Sequence, residues 1–406
     1  MAISELIFCR KMESDIITDN NKGNDRMIKS KILEKISKEL KTSGKFIKST
    51  ADFSFELFQK TVKQKESIII SPVSVLVAMT MTANGADTQT RQEMQQVLGG
   101  DSLEELNVEL KQFLTDLYTG EKAVLKRADS IWFKNTEGEF TVNRDFLNLI
   151  SDTFHAELFQ VPFDSQTREK INSWVSGNTE GRIENFLKIL PSDVWMYLID
   201  ICTLDAEWAN IYEQHEISEG IFTAYNNKKQ TAFMMHSTEN CYLKDDITTG
   251  FLKPYAKGYS FVALLPKEGM DINEYVKSLS GEYFLHLLNN VKHMMVLAEL
   301  PKFQGKSSLE LGEILQEMGI KKAFSREADL SRLGKSEKNS LYISRVFQDS
   351  YIEIDERGTK AGAATAVELS RCAIIADKVK LNRPFVYAVV DNQTKLPLFL
   401  GTVLSI

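Results

Sequence analysis

Apolar and polar positions along this chain follow two rhythms, and their order along the sequence is uneven. Apolar residues three and four apart mark helices, and alternation or short unbroken apolar runs mark strands. From Thr50 the first rhythm dominates. "ADFSFELFQKTV" reads as a helix. "SIIISPVSVLVAMTMTANGADTQTRQEMQQVLGG" reads as a short strand, a buried helix and an exposed helix ending at Gly99-Gly100. "SLEELNVELKQFLTDLYTG" is a further helix, with Gly120 as its expected C-cap. "AVLKRADSIWFK" reads as a strand, and "TREKINSWVSGNTEGRIENFL" as a helix and turn. From "YLIDICTLDAEW" onward strands take over: "KKQTAFMMHS", "YSFVALLPKEG", "HMMVLAELPKF", "SLYISRVFQDSYIEIDE" and "PFVYAVVDNQTKLPLFLGTVL". Helices crowd the first half and strands the second. That segregation predicts an α+β fold with mixed or antiparallel sheets.

The chain start has a different texture. Residues 1–25 are polar and aperiodic, which predicts disorder. Residues 26–42 place Ile28, Ile32, Leu33, Ile36 and Leu40 on one helical face, with five lysines between Lys29 and Lys41 around it. The expectation is a basic amphipathic helix with a docked apolar side, the alternative being a surface for membrane or polyanion. Residues 1–45 thus read as an extension and residues 46–406 as one domain.

Composition narrows the function. The chain has 406 residues, 43% hydrophobic and 26% charged, with a net charge of −7. A soluble protein with a sizeable core fits. A general nucleic-acid binder would carry a basic patch. No stretch approaches the ~20 apolar residues of a membrane span. The N-terminus carries only a four-residue apolar run, Leu6 to Cys9, shorter than a secretory signal requires. Cys9, Cys202, Cys241 and Cys372 are far apart, which is neither a zinc pattern nor a disulfide framework. Cys202 is expected to be a buried thiol.

Candidate catalytic chemistry is sparse. There is no GxSxG, Walker A, GxGxxG or HExxH motif, and "HEISE" at His215 lacks a second histidine. His155 sits in an amphipathic helical pattern and reads as structural. Ser71 and Ser74 flank a proline before a buried helix and read as helix caps rather than nucleophiles. No enzyme, metal or cofactor is expected.

One tract remains, "GTKAGAATA", Gly358 to Ala366, directly after a strand. In a strand, alternate residues face opposite sides. Thr359, Ala361, Ala363 and Thr365 share one parity and are small enough to slip over a packed core. Gly358, Lys360, Gly362, Ala364 and Ala366 share the other, where the lysine reaches solvent. The tract suits an exposed loop in one state and a sheet strand in another.

"IDERGTKAGAATA" resembles the hinge of inhibitory serpins, and "PFVYAVVDNQTKLPLFLGTV" resembles their C-terminal strands. "SPVSVLVAMTMTANGADTQTRQEMQQVLG", "FDSQTREKINSWVSGNTEGRI" and "ELPKFQGKSSLELGEILQEMGIKKAFSREADLSRL" extend the likeness, in family order, from about Ala51 to Ile406. The resemblance implies helices packed on three β-sheets with an exposed reactive-site loop at about 356–383. It implies a monomeric suicide inhibitor, partnered by a target serine protease held as an acyl-enzyme. A non-inhibitory carrier, chaperone or storage protein is the alternative. It also implies an extracellular protein, which the chain start as given does not match, so a cytoplasmic one stays open.

Glu356 stands at the hinge start. Counting from it, the resemblance places the bait at Cys372-Ala373, suited to elastase-like enzymes, with Arg371 and a trypsin-like enzyme as the alternative. Trp208 matches the family tryptophan at the top of the main sheet. Asp200 and Gln348 stand where the family has asparagine and histidine, in the region with Ser71 and Ser74 that parts on insertion. Their double change predicts a hydrogen bond from the Gln348 amide to Asp200.

Overall fold

Residues 42–63, 65–100, 102–134, 140–191, 194–336, 341–359 and 377–406 are described by the computed structural model of this protein. The basic helix expected over 26–42 lies outside them apart from its last residue. One compact unit comprises Gly44–Ile406.

A largely apolar run makes the central strand of the molecule. β5 (Met196–Glu207) is buried along almost its whole length, as a strand covered on both faces must be. It pairs antiparallel with β2 (Ala123–Lys134) on one side. On the other it pairs parallel with β14 (Arg345–Ile354), from Arg345 opposite Tyr197 to Tyr351 opposite Thr203. β12 (Phe303–Glu310) and β4 (Glu157–Val161) complete this sheet at its two edges. Tyr197, Ile199 and Ile201 turn to one face, where a small core with Trp132, Ile171 and Val175 forms. Ile171 and Val175 come from α6 (Ser165–Asn178), which covers that face. Leu198, Cys202 and Leu204 turn to the other face and join the main core.

A second sheet has β1 (Ile68–Ile70), β18 (Pro397–Val403), β17 (Phe385–Asp391), β10 (Tyr259–Pro266), β9 (Thr248–Pro254) and β8 (Tyr242–Lys244) in that order. A third has β16 (Asp377–Lys380), β11 (Val296–Pro301), β7 (Lys229–Glu239) and β6 (Ile217–Thr223). A two-stranded ribbon of β3 (Phe140–Val142) and β13 (Gly334–Ser336) is an addition to the three sheets expected.

α1 (Gly44–Thr61), α2 (Pro72–Asn84), α3 (Thr88–Leu98) and α4 (Leu103–Asp116) follow one another on the main core. α2 is buried on every side from Pro72 to Ala83. Its Thr80 and Thr82 hydroxyls satisfy themselves on the carbonyls of Leu76 and Ala78, so neither hydroxyl is stranded there. Gly99 ends α3 in the left-handed conformation at φ 81°.

Several expectations are corrected. Gly120 does not cap α4: the helix ends at Asp116, and Gly120 turns the chain into β2 by bridging Ala123. His155 lies in no regular helix; it follows α5 (Arg144–Leu149) and ends a π-turn, Ile150–Phe154, in the left-handed region. Short helices also occupy the strand-rich half: α7 (Ile272–Ser278), α8 (Gly281–Asn289) and α9 (Gly312–Met318). Each is nine residues or shorter, too brief for a periodic signal.

Candidate functional site

The root of the small-residue tract is a tight turn at the end of β14. The Asp355 carboxylate accepts from the backbone N–H groups of Arg357 and Gly358 at 2.8 and 3.1 Å. The Asp355 N–H in turn donates to the Gly358 carbonyl at 3.0 Å. Such an Asx turn reverses the chain locally. Gly358 has φ +149°, and a Cβ there would lie 2.1 Å from the Ala206 carbonyl oxygen. Only glycine fits.

The reversed chain is already a strand. β15 (Gly358–Thr359) sits between β14 and β5, antiparallel to both, with Thr359 opposite Ile354 and Ala206. Thr359 is fully buried, and its hydroxyl shares a 2.6 Å hydrogen bond with the Tyr255 hydroxyl. The inward parity read for Thr359 therefore holds. Its side chain is seated in the sheet already, before any further strand forms. The direct ladder between β14 and β5 stops at Tyr351 and Thr203. Ile352 and Glu353 on one strand, and Leu204 and Asp205 on the other, flank a notch directly below Thr359.

Aromatic side chains clamp the turn. Trp208 is fully buried, stacked on Tyr255 with centroids 4.3 Å apart. Its indole N–H donates to the Asp355 carbonyl at 2.9 Å, and its backbone N–H to the Arg357 carbonyl at 2.9 Å. The Tyr212 N–H donates to the Glu356 carbonyl at 2.9 Å. Against the Trp208 and Tyr212 rings lies the buried ion pair of Lys253 and Glu239, 3.0 Å apart, with the ammonium 4.1 Å from the Tyr212 ring centroid. The Glu356 side chain pairs with Lys302 at 2.5 Å, which holds its carboxyl below the usual range. Tyr212, Lys253, Glu239, Tyr255 and Lys302 escaped the sequence reading. Tyr255 and Lys302 meet residues about a hundred and about fifty positions away, respectively, and no local pattern marks them.

Below the notch, where β14 and β5 pair directly and Gln348 lies opposite Asp200, Gln348 ties three elements together. Its amide donates to the Asp200 carboxylate at 2.7 Å and to the Ser71 carbonyl at 2.7 Å, and it accepts from the Ser71 N–H at 3.1 Å. The hydrogen bond expected between Gln348 and Asp200 is present. The other Asp200 oxygen accepts from the Ser74 hydroxyl at 2.6 Å. Neither serine caps α2 through its side chain: Ser71 stands at the cap position without a side-chain bond, and Ser74 is committed to Asp200. Burial, followed by the charge of neighbouring Asp129, raises the Asp200 carboxyl well above its ordinary range, against the pull of these bonds and of Arg127. The Cys202 thiol is buried and pushed up to about 12, chiefly by burial, so it is inert.

Ala361, Gly362, Ala363, Ala364, Thr365, Arg371, Cys372 and Ala373 lie outside the described residues. The structure thus brings together Glu356, Gly358, Thr359 and Trp208 at the notch, and Ser71, Ser74, Asp200 and Gln348 further along the β14–β5 seam.

The serpin (serine protease inhibitor) family model matches residues 48–406. The chain belongs to the serpin family. The crystal structure of the thermophilic serpin tengpin in its native state superposes on this serpin with a TM-score of 0.87 at 44% identity, covering 91% of this chain and 96% of tengpin. Tengpin in its latent state gives 0.80. Human serpin B4 is 28% identical, with 86% of this chain and 96% of that protein covered. Rat thyroxine-binding globulin is also 28% identical, with 87% of each chain covered. The α+β serpin fold expected from the sequence is thereby shown. Serpins are mostly protease inhibitors rather than catalysts, and some members have other roles.

Proposed function

We propose that this serpin is a suicide inhibitor of serine proteases. The observation that carries the reading is β15, whose register aims the tract into the notch and along the seam where β14 and β5 would part. Each further residue moves one position along both strands. Ala361 then falls between Ile352 and Leu204, Ala363 between Ser350 and Cys202, and Thr365 between Gln348 and Asp200. All six flanking residues are buried, so only small side chains fit, and the tract supplies them. Thr365 arrives where Gln348 holds Asp200, with a hydroxyl able to replace the bond it breaks.

In this reading a protease attacks the bait and forms its acyl-enzyme. The freed tract, Thr359 to Ser370, becomes a strand of roughly 40 Å in the main sheet. The tethered protease is carried along, its catalytic groups are displaced, and deacylation stalls. The bait bond is Cys372-Ala373, whose small side chains suit the shallow pocket of an elastase-like enzyme. Arg371 would instead suit a trypsin-like one.

The test is incubation with pancreatic elastase and with trypsin, followed by denaturing electrophoresis and mass spectrometry of the released peptide. A covalent serpin–elastase complex with cleavage after Cys372 is the expected result. Trapping of trypsin with cleavage after Arg371 would move the bait bond by one residue. Cleavage by every protease without a covalent complex would leave a non-inhibitory role, such as carriage of a small molecule.

A further inference from the structure

Lys360 follows β15 in the sequence and lies outside the described residues. A strand that continued the β15 register one step past Thr359 would set position 360 between Glu353 of β14 and Asp205 of β5. Both belong to the parity of Tyr351 and Ile201, which faces away from the main core and toward the α6 side of the sheet. We propose that Glu353 and Asp205 form an acidic slot that receives the Lys360 ammonium as the hinge strand lengthens. The proposal rests on the inhibitory reading above and adds to it the residues that favour the first step of insertion.

The slot is already built and lacks its cation on one side. The Glu353 carboxylate accepts from the Tyr351 hydroxyl at 3.0 Å and from the Gln304 amide at 3.0 Å, both neutral donors. Glu353 takes part in no ion pair among the described residues. Asp205 has a guanidinium at 3.8 Å, that of Arg182, which also pairs with Glu180 at 3.3 Å and lies over the Tyr351 ring. Glu180 bonds Lys126 as well. The cations near the slot are therefore shared on the Asp205 side. An ammonium arriving midway would complement Glu353 and relieve repulsion between two carboxylates brought level by the two strands. An acid at position 360 would meet two like charges there. Because both acids are partly exposed, the attraction is short-ranged and sensitive to salt.

Pancreatic elastase is the probe, with serpin molecules consumed per elastase trapped, and the melting temperature of the cut chain, as readouts. The variants are Lys360→Glu, Glu353→Lys and the two combined. Each single variant is expected to slow insertion by about two- to fivefold at low ionic strength, raising the number consumed, and the deficit is expected to shrink in high salt. The reversed pair is expected to recover trapping to within about twofold of wild type, which a merely structural role for Glu353 would not do. Uncut melting temperatures serve as the folding control for each variant. Lys360→Glu trapping elastase as well as wild type, or the reversed pair trapping no better than either single variant, overturns the proposal. A wild-type chain that gains no thermal stability when cut overturns the inhibitory reading itself, and the slot with it.

Discussion

Asp349 is a carboxylate in a place that gives it little help. It is fully buried in β14, and neither of its oxygens has a hydrogen-bond partner among the described residues. Burial pushes its pKa up to about 6, against nearby Ser308 and Lys306. A carboxyl raised in the folded state supports folding below its unfolded pKa, near 3.8, and that support is lost as pH rises through about 6. The shift of roughly two units corresponds to about 3 kcal/mol at neutral pH. Asp349→Asn should therefore raise the urea midpoint at pH 7, leave it unchanged near pH 3.5, and flatten its slope between pH 4 and 6. Equal midpoints at pH 7 would mean that water or backbone movement already solvates the charge. At this scale sequence reasoning served unevenly. The Gln348–Asp200 bond was legible because two departures from a family pattern had to compensate each other. Ser74 was misread because its partner, Asp200, lies 126 residues away and a serine near a proline also fits a cap.

The junction of β5 and β14 behaves as one element with two fastenings. The upper one is the turn at Asp355–Gly358, held by Trp208 and Tyr212. The lower one is Gln348, which joins β14, β5 and the start of α2 through three hydrogen bonds. Gln348→Ala would strand the Ser71 N–H, leave the Ser71 carbonyl with Val75 alone and loosen Asp200, at about 1–3 kcal/mol for the buried N–H left unpaired. The strands below the notch should then part more readily. Incubated warm and uncut, that variant should lose its ability to trap protease several-fold faster than wild type, while tryptophan fluorescence changes at the same rate. Equal rates would show that the fastening does not limit opening. Element by element, β2 was legible to the residue and β5 nearly so, because long strand-patterned runs of that composition fit no helix. β15 was not, since a two-residue strand carries no period. It exists because Asp355 and Gly358 turn the chain back into a slot prepared by other strands.

At the scale of the whole molecule, the native sheet is complete in strand order yet open at the notch. On the inhibitory reading, cleavage anywhere between Ala366 and Cys372 would free the tract to fill the notch, adding backbone pairing on both edges and burying every second side chain. The cut protein should melt well above the intact one, by tens of degrees, because a full new strand contributes many hydrogen bonds and contacts at once. Calorimetry before and after limited proteolysis checks this. An unchanged melting temperature would favour a serpin that does not insert its loop.

Gly358 and Thr359 have a kinetic meaning beyond their two ladder positions. Starting a strand from free chain is the slow part, since several dihedral angles must be fixed before any contact is returned. Here that start exists before a protease arrives. Register, direction and the first inward side chain are set, and cleavage leaves only propagation, one residue at a time, from a formed nucleus. A trap that races hydrolysis gains from beginning mid-stride. The same nucleus is present in every intact molecule, however, so on the inhibitory reading it is the attachment of the uncut chain at Asp377, and not the difficulty of starting, that would hold insertion back. Lengthening the bait by a few residues would slacken that tether, and self-insertion would run as a clock on the unspent inhibitor.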